Sequence, residues 1–326
     1  MAKKYILAGI LCLLAAVLSL CLGAANLSAQ SLWQALLAGP TDTAGFIFWY
    51  SRLPRTTGCL LAGAALAVSG AVIQCVLSNK LASPSIIGIN AGAGLAVTLC
   101  CAFGVLSGWA IAGSAFLGAM GTVLLIVLVA EKAGASRTTV ILGGVAVNTF
   151  LNALSESITT LIPEISMMTS DFRVGGFASI SYLRLRSGAV LILAALILIF
   201  LLHNELDVLS LGEETAHSLG MEVKKSRTLL LILAALLAGS AVSFAGLLGF
   251  VGLIVPHACR KIVGTESRYL LPMCALAGAG FVTFCDLAAR LLFAPYELPV
   301  GILLSVLGGP FFLMLLLKRK GGRGNA

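Results

Sequence analysis

Long apolar runs, broken by charge or by Gly/Pro clusters, dominate the chain from its first residues to its last. Runs bounded in this way fall near 5–25, 56–78, 86–106, 110–130, 138–162, 188–203, 228–246, 248–263, 269–292 and 299–317, the eighth being the weakest. Most approach or reach the roughly 20 apolar residues that cross a ~30 Å hydrocarbon core as helix. They are too continuously apolar for barrel strands, and a helix satisfies its own backbone hydrogen bonds in lipid. The pattern predicts an all-α polytopic membrane protein of about ten transmembrane helices, with residues 1–326 forming a single transmembrane domain.

Composition points the same way. The chain is 59% hydrophobic and only 10% charged, far outside the range of soluble domains. Its nine cysteines all lie in apolar segments without the spacing of a zinc or redox site, so they read as small core- or lipid-facing residues and no metal site is expected. Tyr5–Ala25 follows Lys3 and Lys4 but is longer than a usual signal core, and it reads as a retained span.

Charge sets the orientation. With both termini cytoplasmic, 15 of the 21 basic residues lie inside, leaving Arg52, Arg55, Arg173, Arg184, Arg186 and Arg290 outside. The net charge of +8 is thus a topology signal, and no nucleic-acid partner is expected. The polar stretch Ser210–Ser226, within a cytoplasmic loop of about 209–226, then lies inside, while Asn26–Arg55 and Pro163–Ser187 form outer loops.

Two segments repeat. "LAGAALAVSG" (Leu61–Gly70) and "LAGSAVSFAG" (Leu237–Gly246) share five of ten residues at an offset of 176. They lie five spans apart and so cross in opposite directions, the arrangement of inverted repeats in transporters. Small residues such as Gly58, Ala62, Ala65, Ser69, Ala238 and Ala241 also suit close helix packing without common ancestry, and both readings stand.

In the fifth span Asn148, Asn152, Glu156 and Thr159 recur on one helical face. A carboxylate at mid-membrane costs at least ~2.5 kcal/mol, so this face should meet water or protein. It reads as the wall of a translocation path, against the alternative of a hydrogen-bonded helix interface. Asp286 and Arg290 stand i, i+4 in the favourable order for an ion pair. His203 and His257 are isolated and read as local hydrogen-bonding residues, and His217 as solvated.

No GxxxxGK[ST] phosphate loop and no hydrolase or metalloprotease motif occurs, so the chain is expected neither to be an enzyme nor to bind ATP or another cofactor. Two transport classes remain. A secondary carrier driven by an ion gradient is self-sufficient, whereas the membrane subunit of an ATP-driven importer needs a surface for a separate ATPase. Taken as a helix, Leu211–Gly220 places Leu211, Thr215, Ala216 and Leu219 near one another, with Glu213, Glu214 and His217 elsewhere and Gly220 as a stop. Such a helix suits a groove on a partner. A solvated loop is the alternative.

From Arg52 to Lys320 the chain resembles the FecCD-type permeases, membrane subunits of ABC importers for iron-siderophores, haem and cobalamin. The resemblance is carried by "RLPR" (Arg52–Arg55), "GAALAVSGAVIQCVLSNKLASPSIIGINAGA" (Gly63–Ala93), "LDVLSLGEETAHSLGMEV" (Leu206–Val223), "GFVGLIVPHACR" (Gly249–Arg260) and "ELPVGILLSVLGGPFF" (Glu297–Phe312). It implies a type II importer permease of ten helices in the cytoplasmic membrane of a bacterium or archaeon. Its implied partners are a second permease subunit, alike or homologous, P-loop ATPase subunits that bind ATP, and an extracytoplasmic binding protein delivering a metal chelate. It further implies ATPase coupling through Glu213, Glu214, Ala216 and Gly220, and a cytoplasmic gate at Asn79, Leu81 and Ser136. Arg52, Arg55 and Arg290 take the place of arginines that receive acidic residues of the binding protein. Where relatives have Asn-Pro-Leu this chain has Asn79-Lys80-Leu81, which removes a fixed φ and adds a charge.

Overall fold

The computed structural model describes residues 1–23, 29–132 and 137–320, and its regular elements are helices. In chain order these are α1 (Ala2–Cys21), α2 (Ala29–Ala38), α3 (Thr43–Ile47) and a π-helical turn (Phe48–Arg52) leading directly into α4 (Leu53–Val76). Then come α5 (Ile89–Ala102), α6 (Gly108–Lys132), α7 (Arg137–Leu161), α8 (Glu164–Val174), α9 (Tyr182–Leu201), α10 (His203–Ser210) and α11 (Glu213–Ser218). The last four are α12 (Val223–Ala245), α13 (Val251–Val263), α14 (Ser267–Leu291) and α15 (Val300–Lys320).

Each of the ten apolar runs overlaps one of these helices. Six stretches among the described residues are long and apolar enough to cross a membrane: α1, Thr43–Val76, Gly108–Val129, α9, α12 and α14. The two outer stretches expected as loops are partly helical. Within Asn26–Arg55, the Asp42 carboxylate caps α3 by accepting the Gly45 N–H at 2.7 Å, and Trp49 Nε1 ties the π-helical turn to Ala35 O of α2. Within Pro163–Ser187, α8 buries Ile165 and Thr169. Both are short helices whose polar side chains hide their apolar face from a reading based on long runs.

The bundle is built around α4 and α12. In their most apolar windows 78% and 72% of residues are buried, against 11% for α1, which packs on α14 at the rim. Lipid offers no hydrophobic gain for helix association, so close packing rests on small residues. A Cβ on Gly63 of α4 would stand 2.2 Å from Gly278 O of α14, and one on Gly70 2.0 Å from Gly252 O of α13. Gly92 of α5 meets Gly118 of α6 in the same way. Gly239, which aligns with Gly63 at the 176-residue offset, sits where α12 meets Ala119 of α6. α4 thus packs on α14 and α13 as α12 packs on α6 and α5.

Candidate functional site

The segment between α9 and α12 forms a protruding knob. α10 is bolted to the bundle: Leu206 and Leu209 are buried, and Asp207 Oδ1 accepts the Ser267 N–H at 2.8 Å, satisfying a free donor in the first turn of α14. α11 spans Glu213–Ser218, shorter than the expected Leu211–Gly220, because Gly212 at φ +113° lies outside helical space. At the other end Gly220 adopts φ +82°, the Gly220 N–H donates to His217 O (2.9 Å) and the Met221 N–H to Ala216 O (3.1 Å). Those two bonds form a Schellman cap, which requires a left-handed residue at position 220.

The apolar positions of this helix divide between two directions. Ala216 is fully buried and holds α11 against its own chain, while Leu211 and Leu219 are each 63% exposed. Thr215 and Glu214 face outward with them. Glu213 points back, with Oε1 3.0 Å from Nη2 of the buried Arg227 at the root of α12. The result is a rigid, exposed helix with apolar shoulders and a free carboxylate, suited to seating in a groove.

The turn after α4 is also closed by hydrogen bonds. Ser78 at φ +46° occupies the left-handed cap position: its N–H donates to Cys75 O and the Asn79 N–H donates to Gln74 O, both at 3.0 Å. Asn79 Oδ1 accepts the Leu81 N–H at 3.0 Å, an Asx turn that needs no proline at position 80. Asn79 and Leu81 are half-buried and Lys80 is exposed. Ser136, the remaining gate expectation, lies outside the described residues.

On α7, Asn152 and Glu156 are exposed and Asn148 is half-buried, so their face is left uncovered by this chain. The neighbouring face is anchored by Ser155, whose hydroxyl pairs with Thr98 of α5 at 2.9 Å and accepts from Arg173 Nη2 of α8 at 2.7 Å. The sequence reading missed this link, since nothing in the spacing of residues 98, 155 and 173 brings them together.

Arg52, Arg55 and Arg290, expected to reach outward, are internal instead, with exposures of 4, 8 and 3%. Arg52 donates to Leu20 O and Cys21 O at the end of α1 (2.8 and 2.6 Å). Arg55 grips the Asp286 carboxylate through Nε and Nη2, each 3.0 Å from an oxygen, and donates to Glu297 Oε2 at 2.6 Å. The expected pair of Arg290 with Asp286 is present at 3.1 Å, and Arg290 Nη2 also donates to Ser19 Oγ at 2.7 Å. For Arg55 and Arg290 the physical reason is the buried Asp286, which needs compensating charge on both sides, whereas Arg52 turns to the carbonyls that end α1. Beside this cluster a cavity of ≈ 220 Å³ is lined by Arg55, Asp171 and Glu297, so acidic groups share its wall with the guanidinium.

A model of the FecCD transport family matches residues 11–318. The chain belongs to the FecCD transport family. It is 38% identical to the iron(3+)-hydroxamate import system permease protein FhuB of Bacillus subtilis, over 96% of this chain and 83% of that protein. It is 36% identical to the hemin transport system permease protein HmuU of Yersinia pestis, over 94 and 95% of the two chains. Among solved structures it resembles a metal-chelate type ABC transporter in an inward-facing conformation, with a TM-score of 0.87 and 30% identity over 98% of this chain and all of that one. The FecCD member is accordingly a permease, a transport subunit whose ATPase is a separate chain.

Proposed function

We propose that this chain is the permease subunit of an ATP-driven importer. It translocates an iron-siderophore or related metal chelate delivered by an extracytoplasmic binding protein. The observation that carries the reading is α11: an exposed helix, fixed to the bundle by the buried Ala216 and by Glu213–Arg227, on a chain of the FecCD family that lacks a phosphate loop. Iron-hydroxamate, haemin and vitamin B12 permeases among its relatives support the substrate class.

In this reading ten helices cross the cytoplasmic membrane of a bacterium or archaeon with both termini inside. The helix contacts that relate α4 to α12, with Gly63 and Gly239 at matching crossings, favour an inverted repeat. Two permease subunits face each other, and the uncovered face of Asn148, Asn152 and Glu156 lines a vestibule between them. Asn79, Leu81 and Ser136 form its inner gate. The binding protein docks at the outer end, where Arg52, Arg55 and Arg290, which tie the ends of α1, α4 and α14 together, serve its docking.

ATP-driven closure of the partner ATPases pushes on Glu214, Leu211 and Leu219, and the rigid cap at Gly220 passes the motion to α12. Co-purification of the ATPase with the permease tests this. Glu214→Lys combined with Leu219→Asp should abolish association while the chain stays folded and monodisperse. Undiminished association would remove α11 as the coupling surface.

A further inference from the structure

A second cavity, ≈ 220 Å³ in volume, opens between the turn after α4, the end of α10 and the α13–α14 link. Its wall carries two cations, Lys80 and Arg260, and the hydroxyls of Ser78, Ser210, Thr265 and Ser267. Among the described residues no carboxylate lines it. Two like charges facing one cavity repel each other unless an anion lies between them.

Arg260 is held in place, with Nη1 bonded to Gln74 Oε1, and Gln74 Nε2 donates to Gly252 O at 2.9 Å. A guanidinium carries five N–H donors, so this anchoring leaves the rest of the fork for another acceptor. Asp207 of α10 is engaged elsewhere, accepting the Ser267 N–H at 2.8 Å. The wall therefore offers an anchored planar cation, an exposed ammonium and the hydroxyls of Ser78, Thr265 and Ser267, while the Ser210 hydroxyl already donates to Asp207 O at 2.7 Å. That donor set matches a phosphate group, whose oxygens accept from Arg, Lys and Ser/Thr alike.

We infer that this cavity binds a phosphate group. A phosphate seated there bridges Ser78 and Lys80 beside the turn after α4, Arg260 of α13, and Thr265 and Ser267 at the α13–α14 link. It ties together three segments that must shift against each other if the gate follows α11. Lys80, which replaces a proline common in relatives, thereby gains a role. The phosphate can come from an anionic phospholipid headgroup, since basic pockets between membrane helices take such groups, or from a soluble phosphate.

The two sources separate in one set of measurements on the purified full chain. Native mass spectrometry compares retention of phosphatidylglycerol and phosphatidylcholine, and thermal unfolding compares inorganic phosphate with chloride at equal ionic strength. Lys80→Gln and Lys80→Glu alter an exposed side chain and should leave the fold intact; Arg260→Gln removes the anchored cation. A lipid headgroup gives preferential phosphatidylglycerol retention that falls about fivefold or more in both Lys80 variants, on the order of one basic residue's contribution. A soluble ligand gives a phosphate-dependent rise in unfolding temperature that the Lys80 variants lose. Equal retention of the two lipids with no phosphate effect overturns the assignment. A preference unchanged by the Lys80 and Arg260 variants overturns it equally.

Discussion

Glu213 Oε1 lies 3.0 Å from Arg227 Nη2, so the exposed helix α11 is pinned to the buried root of α12 by an ion pair. Arg227 is 6% exposed, whereas the Glu213 side chain is half exposed, which limits what the pair is worth. Glu213→Gln should lower stability by on the order of 1 kcal/mol, and Glu214→Gln should leave it unchanged. Thermal unfolding in detergent reads the difference. Equal behaviour of the two variants would remove the structural role assigned to Glu213.

Gly63 and Gly278 meet so closely that any side chain at the crossing must push α4 and α14 apart. Gly63→Ala should cost about 1–3 kcal/mol through lost packing along both helices. Gly113 of α6 is the control, since a Cβ there meets nothing within 4 Å. Gly113→Ala should fold and transport as the parent does, and yields of monodisperse protein should separate the two variants.

Ser78 holds a left-handed conformation for which glycine carries no steric penalty. Ser78→Gly should therefore keep the cap and raise stability by about 0.5–1 kcal/mol, seen as a higher unfolding temperature. A lower unfolding temperature would show that the Ser78 side chain contributes more than its backbone strain costs.

Asp286 is fully buried and stands between Arg55 and Arg290. Asp286→Asn leaves two buried guanidinium groups short of a counter-charge, at a cost of about 3–5 kcal/mol. The variant should express poorly or unfold early in size-exclusion and thermal assays. Glu297→Gln, at a partly exposed position, should be much milder.

The helices were legible because lipid forces each backbone to satisfy itself, so apolar runs and helices coincide. The Asp286–Arg290 pair was legible because it is local to one helix. Arg55 was not: its partners Asp286 and Glu297 lie 231 and 242 residues away, and no spacing rule reaches that far. The Arg52 contacts were out of reach for a related reason, since its acceptors are backbone carbonyls at the end of another helix. On α11 the spacing identified the apolar positions, but helical periodicity cannot say which of them face the chain itself. Ala216 turned inward and left Leu211 and Leu219 outside. The short helices α2 and α8 were not legible because their apolar faces are short.

The uncovered face of α7 should govern transport without governing stability. Glu156→Gln and Asn152→Leu should change the uptake rate while leaving the unfolding temperature unmoved, because neither side chain is buried. A large stability loss with normal residual uptake would identify the face as a packing surface.

Uptake into sealed vesicles tests the importer role most directly. The permease is reconstituted with its ATPase and binding protein, and a labelled ferric chelate is supplied on the binding-protein side. Uptake that requires ATP and all three components, and that Glu214→Lys with Leu219→Asp abolishes, is the expected result. Uptake by the permease alone, driven by an ion gradient and indifferent to ATP, would contradict it.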